Sequence, residues 1–139
     1  MVDDSPIAQL LKAIDSRDVD AVTALAAPDV RMLAADGRRA HGVEAVHALL
    51  ADFLGNLRST AHHVTAEWHV DDVWIAEVDA SYELRDWLQL NALPRAFVMR
   101  MGSQGIADLR VYGAHERPLT EHRTGEEGMW IGDRWIPPL

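Results

Sequence analysis

Residues 42–70 read GVEAVHALLADFLGNLRSTAHHVTAEWHV, and the spacing of their apolar residues changes partway along. Val43, Val46, His47, Leu50, Phe53, Leu54 and Leu57 recur at intervals of three and four, which places them on one stripe of a helix. Gly55-Asn56 supplies the stop. From about residue 60 the pattern alternates instead. It predicts strands at about 60–70, 73–86, 91–101 and 105–116, broken at Asp71-Asp72, at Asp86 to Gln89 and at Gly102 to Gly105. Long strands joined by short connections pair as antiparallel hairpins. Pro94 inside the third implies an edge position or a bulge.

Upstream of this stretch, Ser5-Pro6 has the form of an N-cap followed by proline in the first turn. Ile7, Leu10, Leu11 and Ile14 follow at helical spacing, and Asp15-Ser16-Arg17-Asp18 ends that helix. Asp18 caps a second, short helix carrying Val19, Val22 and Leu25, which Pro28 closes. Val30 to Leu33 reads as a first strand and Asp36-Gly37 as a turn. Helices followed by a run of antiparallel strands mean an α+β fold, with N-terminal helices packed on a curved, mainly antiparallel sheet that encloses a pocket. Residues 120–139 form an extension whose Trp130 and Trp135 imply packing over the body or against a partner subunit.

The chain has 139 residues, long enough for a single domain with a core that needs no covalent staples. Thirteen Lys+Arg against 22 Asp+Glu give a net charge of −9, a field that repels nucleic acid and anionic membranes. With no cysteine, thiolate catalysis, disulfides and cysteine-ligated zinc are excluded. The acidic start, Met1-Val2-Asp3-Asp4, lacks the order of a signal peptide, and a cytoplasmic location is expected. Twelve arginines beside the single Lys12 point to a high-GC bacterial genome.

Asp18-Val19-Asp20-Ala21-Val22 leading to Pro28-Asp29-Val30, then Gly42-Val43-Glu44-Ala45-Val46, resemble the SnoaL-like, ketosteroid-isomerase-like branch of the NTF2-like superfamily. Ala76-Glu77-Val78-Asp79-Ala80-Ser81-Tyr82 and Leu93-Pro94 are similar to its central strands, and residues 105–112 to its last strand. The resemblance spans residues 6–119 and implies a cone-shaped, cystatin-like fold with a small-molecule pocket. The family includes ketosteroid isomerases, epoxide hydrolases and polyketide cyclases, so the fold alone does not name a reaction. Positions that carry the isomerases' catalytic groups fall here on Leu10, Ala34 and Ala96. Those of the hydrolases fall on Glu77-Val78-Asp79 and Val111, which keep one acid of three.

Several residues are candidates for chemistry. Glu77 and Asp79 lie on one side of a strand, about 7 Å apart, a spacing that suits an acid/base pair in a dry site and equally a solvated face. His63, Thr65, Glu67 and His69 share a face by alternation; His63 is a candidate base, and His63, Glu67 and His69 are residue types that bind zinc or iron. His47 is the polar member of an apolar helical stripe, either a satisfied core residue or part of a pocket wall. Leu10, Met32, Leu50, Phe53 and Leu109 are the expected apolar walls.

The expected function is a cofactor-free isomerase, cyclase or hydrolase acting on an apolar, oxygenated metabolite of polyketide or terpenoid type. Asp79, Glu77 and His63 are its acid/base candidates, and no metal is assigned. The alternative is a lipophile-binding or structural homodimer without turnover. In either case a homodimer formed through the outer sheet face is expected.

Overall fold

A computed structural model of the chain describes residues 5–113 and the backbone of strands 129–131 and 134–136. Helix α1 spans Pro6–Asp15, and its N-cap Ser5 accepts the Ala8 amide through Oγ at 3.1 Å. The same hydroxyl donates to Glu67 at 3.0 Å, so the cap also fixes the helix start to the sheet. Ile7, Leu10, Leu11 and Ile14 form the buried stripe that the spacing predicted. Arg17, in a left-handed conformation at φ 61°, ends the turn. Its guanidinium donates to the carbonyls of Leu54 and Arg58. Asp18 caps α2 (Val19–Ala24) by accepting the Ala21 amide at 3.0 Å.

Strand β1 (Ala26–Leu33) begins four residues before the expected Val30. Pro28 falls within it because the pairing with the last strand shifts register between Ala26 and Arg31 and so needs no amide there. A three-residue strand, β2 (Arg39–His41), was not foreseen; it is too short to show alternation. Helix α3 (Val43–Gly55) and its C-cap Asn56 agree with the expected limits. Next come β3 (Leu57–Val70), β4 (Val73–Leu84), β5 (Gln89–Gly102) and β6 (Gly105–Gly113).

These six strands form one sheet in the order β2-β1-β6-β5-β4-β3, with only β1 and β6 parallel. Strand β5 is interior, so Pro94 is not at an edge. The Pro94 region is instead accommodated by an irregularity in which Ala80 and Tyr82 of β4 face Leu93 and Leu90 of β5, with Ala92 at φ 54°. A separate hairpin, β7 (Met129–Ile131) with β8 (Arg134–Ile136), holds the backbone of Trp130 and Trp135. What the rest of the 120–139 extension packs against lies outside the described residues. No helix of the described residues is long and apolar enough to cross a membrane.

The helices cover one face of the sheet, and the core lies between them. Its members include Leu10, Val46, Leu50, Leu57, Val78, Phe97, Met99 and Leu109. At the start of β6, Gly105 has φ +121°, and a Cβ added there would come within 2.5 Å of the Leu25 carbonyl oxygen. That oxygen accepts the Ile106 amide, which ties β6 to the end of α2. Gly105→Ala is therefore expected to lose at least about 1–3 kcal/mol through backbone strain. In a thermal melt the midpoint should fall on the order of 5–10 °C.

Candidate functional site

The site is built around two residues from distant parts of the sequence. Asp15 is the last residue of α1, and α1 crosses β3 so that the Asp15 carboxylate meets His62. Oδ2 of Asp15 accepts the His62 backbone amide at 2.9 Å, while Oδ1 lies 2.6 Å from Nδ1. A carboxylate oxygen accepts, so Nδ1–H donates, and Nε2 keeps its lone pair in the neutral ring. The short distance is that of a charge-assisted hydrogen bond. The His62 side chain is only 3% exposed, against 28% for Asp15. Tyr82 and Phe97 hold the imidazole edge-to-face, with ring centroids 6.1 and 5.7 Å away. Its plane is thus set from three sides.

The ring lines a cavity between α3 and the inner face of the sheet. Its volume is about 70 Å3, counted at the centres of water-sized molecules. One water needs roughly 10–15 Å3 on that measure, so the space suits a small organic molecule. Met32, Leu50, Phe53, Phe97, Leu109 and Val111 make it mainly apolar. Its polar margin consists of His62, Tyr82, Asp36 and Arg95. Asp36 is fixed by Arg38, whose backbone amide donates to Oδ1 at 3.0 Å and whose Nε donates to Oδ2 at 2.8 Å. Arg38 also reaches Asp52 of α3 at 2.7 Å. Burial alone would lower the Arg38 pKa, but the hydrogen bonds and charges of Asp52 and Asp36 outweigh it and raise it.

Four expected wall residues, Met32, Leu50, Phe53 and Leu109, do line the cavity. Leu10 does not; it is fully buried in the core. His47 also lies elsewhere. It is partly exposed on the side of α3 facing α2, where Nε2 meets Asp20 Oδ1 at 2.9 Å. Helical spacing placed it on the apolar stripe, but the neighbouring short helix intercepts it at the rim.

Glu77, Asp79 and His63 also fail to reach the cavity. Ala76, Val78, Ala80 and Tyr82 fill the inner face of β4, which leaves Glu77 exposed and Asp79 half-buried on the outer face. There the two acids line an open cleft with Thr65, Pro94, Ala96 and Tyr112. His63 pairs with Asp79 across the strands and shares that outer face.

A bulge between Val64 and Ala66 separates His63, Glu67 and His69, the trio whose residue types could bind a metal. Downstream of it Glu67 pairs with Ala76 on the inner face, away from His63. His69 stacks on Trp74 and donates Nε2–H to the Asp71 carbonyl. Among the described residues no three His, Cys, Asp or Glu lie grouped to hold a metal ion.

Sequence reasoning missed His62, Asp15 and Asp36. Asp15 had a usable signal, since it follows Leu11 by four residues and so projects from near the buried stripe of α1.

Several solved structures share this architecture. A hypothetical protein from Catenulispora acidiphila with a ketosteroid isomerase-like fold, in complex with trimethylamine, superposes with a TM-score of 0.75. It has 17% identity, with 84% of this chain and 91% of that one covered. A putative SnoaL-like polyketide cyclase from Shewanella denitrificans gives 0.69 at 8% identity, covering 77% and 86%. An M. tuberculosis LEH-like epoxide hydrolase gives 0.67 at 17% identity, covering 78% and 79%. At these identities the likeness is one of fold. No curated protein matches by sequence. The model of the SnoaL-like domain matches residues 7–118, most of the chain and every element that builds the cavity. On that match the chain belongs to the SnoaL-like domain family.

Proposed function

We propose that the protein is a cofactor-free acid/base catalyst in which His62 moves a proton to and from a small, apolar, oxygenated molecule held in the cavity. The observation that carries this reading is the Asp15–His62 pair at the wall of an apolar cavity. A buried imidazole whose Nδ1–H is held by a carboxylate presents Nε2 as a base, and the same carboxylate stabilises the imidazolium that forms. Apolar walls strengthen that interaction by excluding water. The expected isomerase, cyclase or hydrolase activities all require such a step. His62 takes the role first assigned to His63, Glu77 and Asp79.

In outline, the ligand's ring or chain packs against Phe53, Phe97 and Leu109 with an acidic C–H or O–H toward His62. Nε2 accepts that proton, the electron pair moves onto the ligand's oxygen, and the imidazolium returns the proton at another atom. A small ketone tests this directly. In D2O, wild-type protein is expected to accelerate deuterium uptake at the carbon beside the carbonyl of 2-tetralone, followed by proton NMR. If neither this ketone nor a panel of 1,3-diketones and epoxides turns over, the cavity binds without catalysis.

A further inference from the structure

The cavity has one arginine in its margin, and that arginine bears on what the cavity takes. Arg95 lies on the inner face of β5 between Leu93 and Phe97, opposite Val78, and only 4% of it is exposed. It lines both the apolar cavity and, where the sheet ends, the outer cleft of Glu77 and Asp79. Its room depends on Gly113, its register partner in β6. A Cβ at that position would fall 2.4 Å from Nη1 and 2.8 Å from Cδ of Arg95. The missing side chain at 113 is thus the groove through which the guanidinium passes.

Arg95 has its own protein partners, and it also lines the cavity beside Phe97 and Val111. Nη1 donates to the Pro94 carbonyl at 3.1 Å. A guanidinium has five N–H donors and one carboxylate engages at most two, so a ligand oxygen can be bound even while Arg95 keeps its protein partners.

We propose that Arg95 is a specificity-determining residue that anchors an anionic oxygen, and that the cavity prefers small aromatic or aliphatic carboxylates and enolates over neutral molecules of the same shape. This rests on the cavity being the ligand site, but not on catalysis by His62. In an acidic protein the preference has to be local, because the overall field repels anions.

The test compares 4-methylbenzoate with its neutral near-isostere 4-methylacetophenone, titrated at pH 8 against the whole chain and followed by amide chemical shifts. Wild type is expected to bind the carboxylate at least about tenfold more tightly, the range of one charged hydrogen bond. Arg95→Met should bring that ratio to about one while the ketone still binds. Gly113→Ala, which leaves the charge but occupies its groove, should lower the ratio in the same direction and serves if Arg95→Met does not fold. Ketone exchange in D2O, measured on the same wild-type and Arg95→Met samples, reads the proton-transfer proposal separately from this ratio. A wild-type ratio near or below one, or a ratio unchanged in folded Arg95→Met and Gly113→Ala, overturns it.

Discussion

Replacing His62 by Asn is expected to slow ketone exchange by about 10^2–10^4-fold, the usual range for removing a positioned acid/base group. The choice of asparagine matters. Its side-chain amide sits near the place of Nδ1, so it can still donate to Asp15 Oδ1, which lies 2.6 Å from Nδ1 in the native protein. What disappears is Nε2 and with it the proton acceptor.

The Asp15 variant separates positioning from chemistry. Asp15→Asn offers one carbonyl oxygen to two donors, the His62 amide and Nδ1–H, and turns an NH2 against one of them. It should lower the rate less than His62→Asn does and cost about 1–3 kcal/mol of stability, the penalty for an unmet buried donor. Measuring both variants for rate and for urea midpoint decides the assignment. Full activity in His62→Asn would remove the imidazole from the mechanism.

The second large effect is on stability alone. Met99 is fully buried in β5, paired with Trp74 of β4 on one side and Leu109 of β6 on the other. Strands on both sides and helices above leave little freedom to collapse into the gap, so Met99→Ala is expected to cost about 2–5 kcal/mol. That is a large share of the ~5–15 kcal/mol that holds a domain of this kind. Arg100, the next residue, points outward and is exposed. Arg100→Ala should stay within about 0.5 kcal/mol. Urea unfolding of the two variants measures the contrast, and equal losses would contradict the sheet orientation described above.

The framework was legible because its signals are local. The α3 stripe from Val43 to Leu54 shows in residues three and four apart, and Ser5 and Asp18 cap the helices their positions suggested. The strands from 57 to 113 differ from the sequence limits by no more than three residues at any end. Strand β1 was read short because Pro28 looks like a breaker, and only its shifted pairing with β6 reveals otherwise. The apolar wall was legible for the same reason as α3.

The catalytic candidates were not legible, because the face a strand presents is fixed by its partners. Alternation alone groups His63 with Glu67; the bulge after Val64 regroups the strand so that His62 and Glu67 face inward. The acids of β4 could be placed only once Ala76, Val78 and Ala80 were seen to fill the inner side. Asp15 finds His62 across 47 residues of sequence, a distance no local pattern spans.

Two histidines in succession midway along β3 have an evolutionary corollary. The strand already contains irregular pairing at Leu57–Ser59, ahead of them, and at Val64–Ala66, just after. Such points absorb a gained or lost residue without disturbing the rest of the sheet. A one-residue slip confined to that interval would carry His63 inward as His62 turns out, leaving an imidazole still within reach of α1. Descent by insertion and deletion can therefore pass through this strand without losing an imidazole from the cavity wall, whereas the acids on β4 have no such spare.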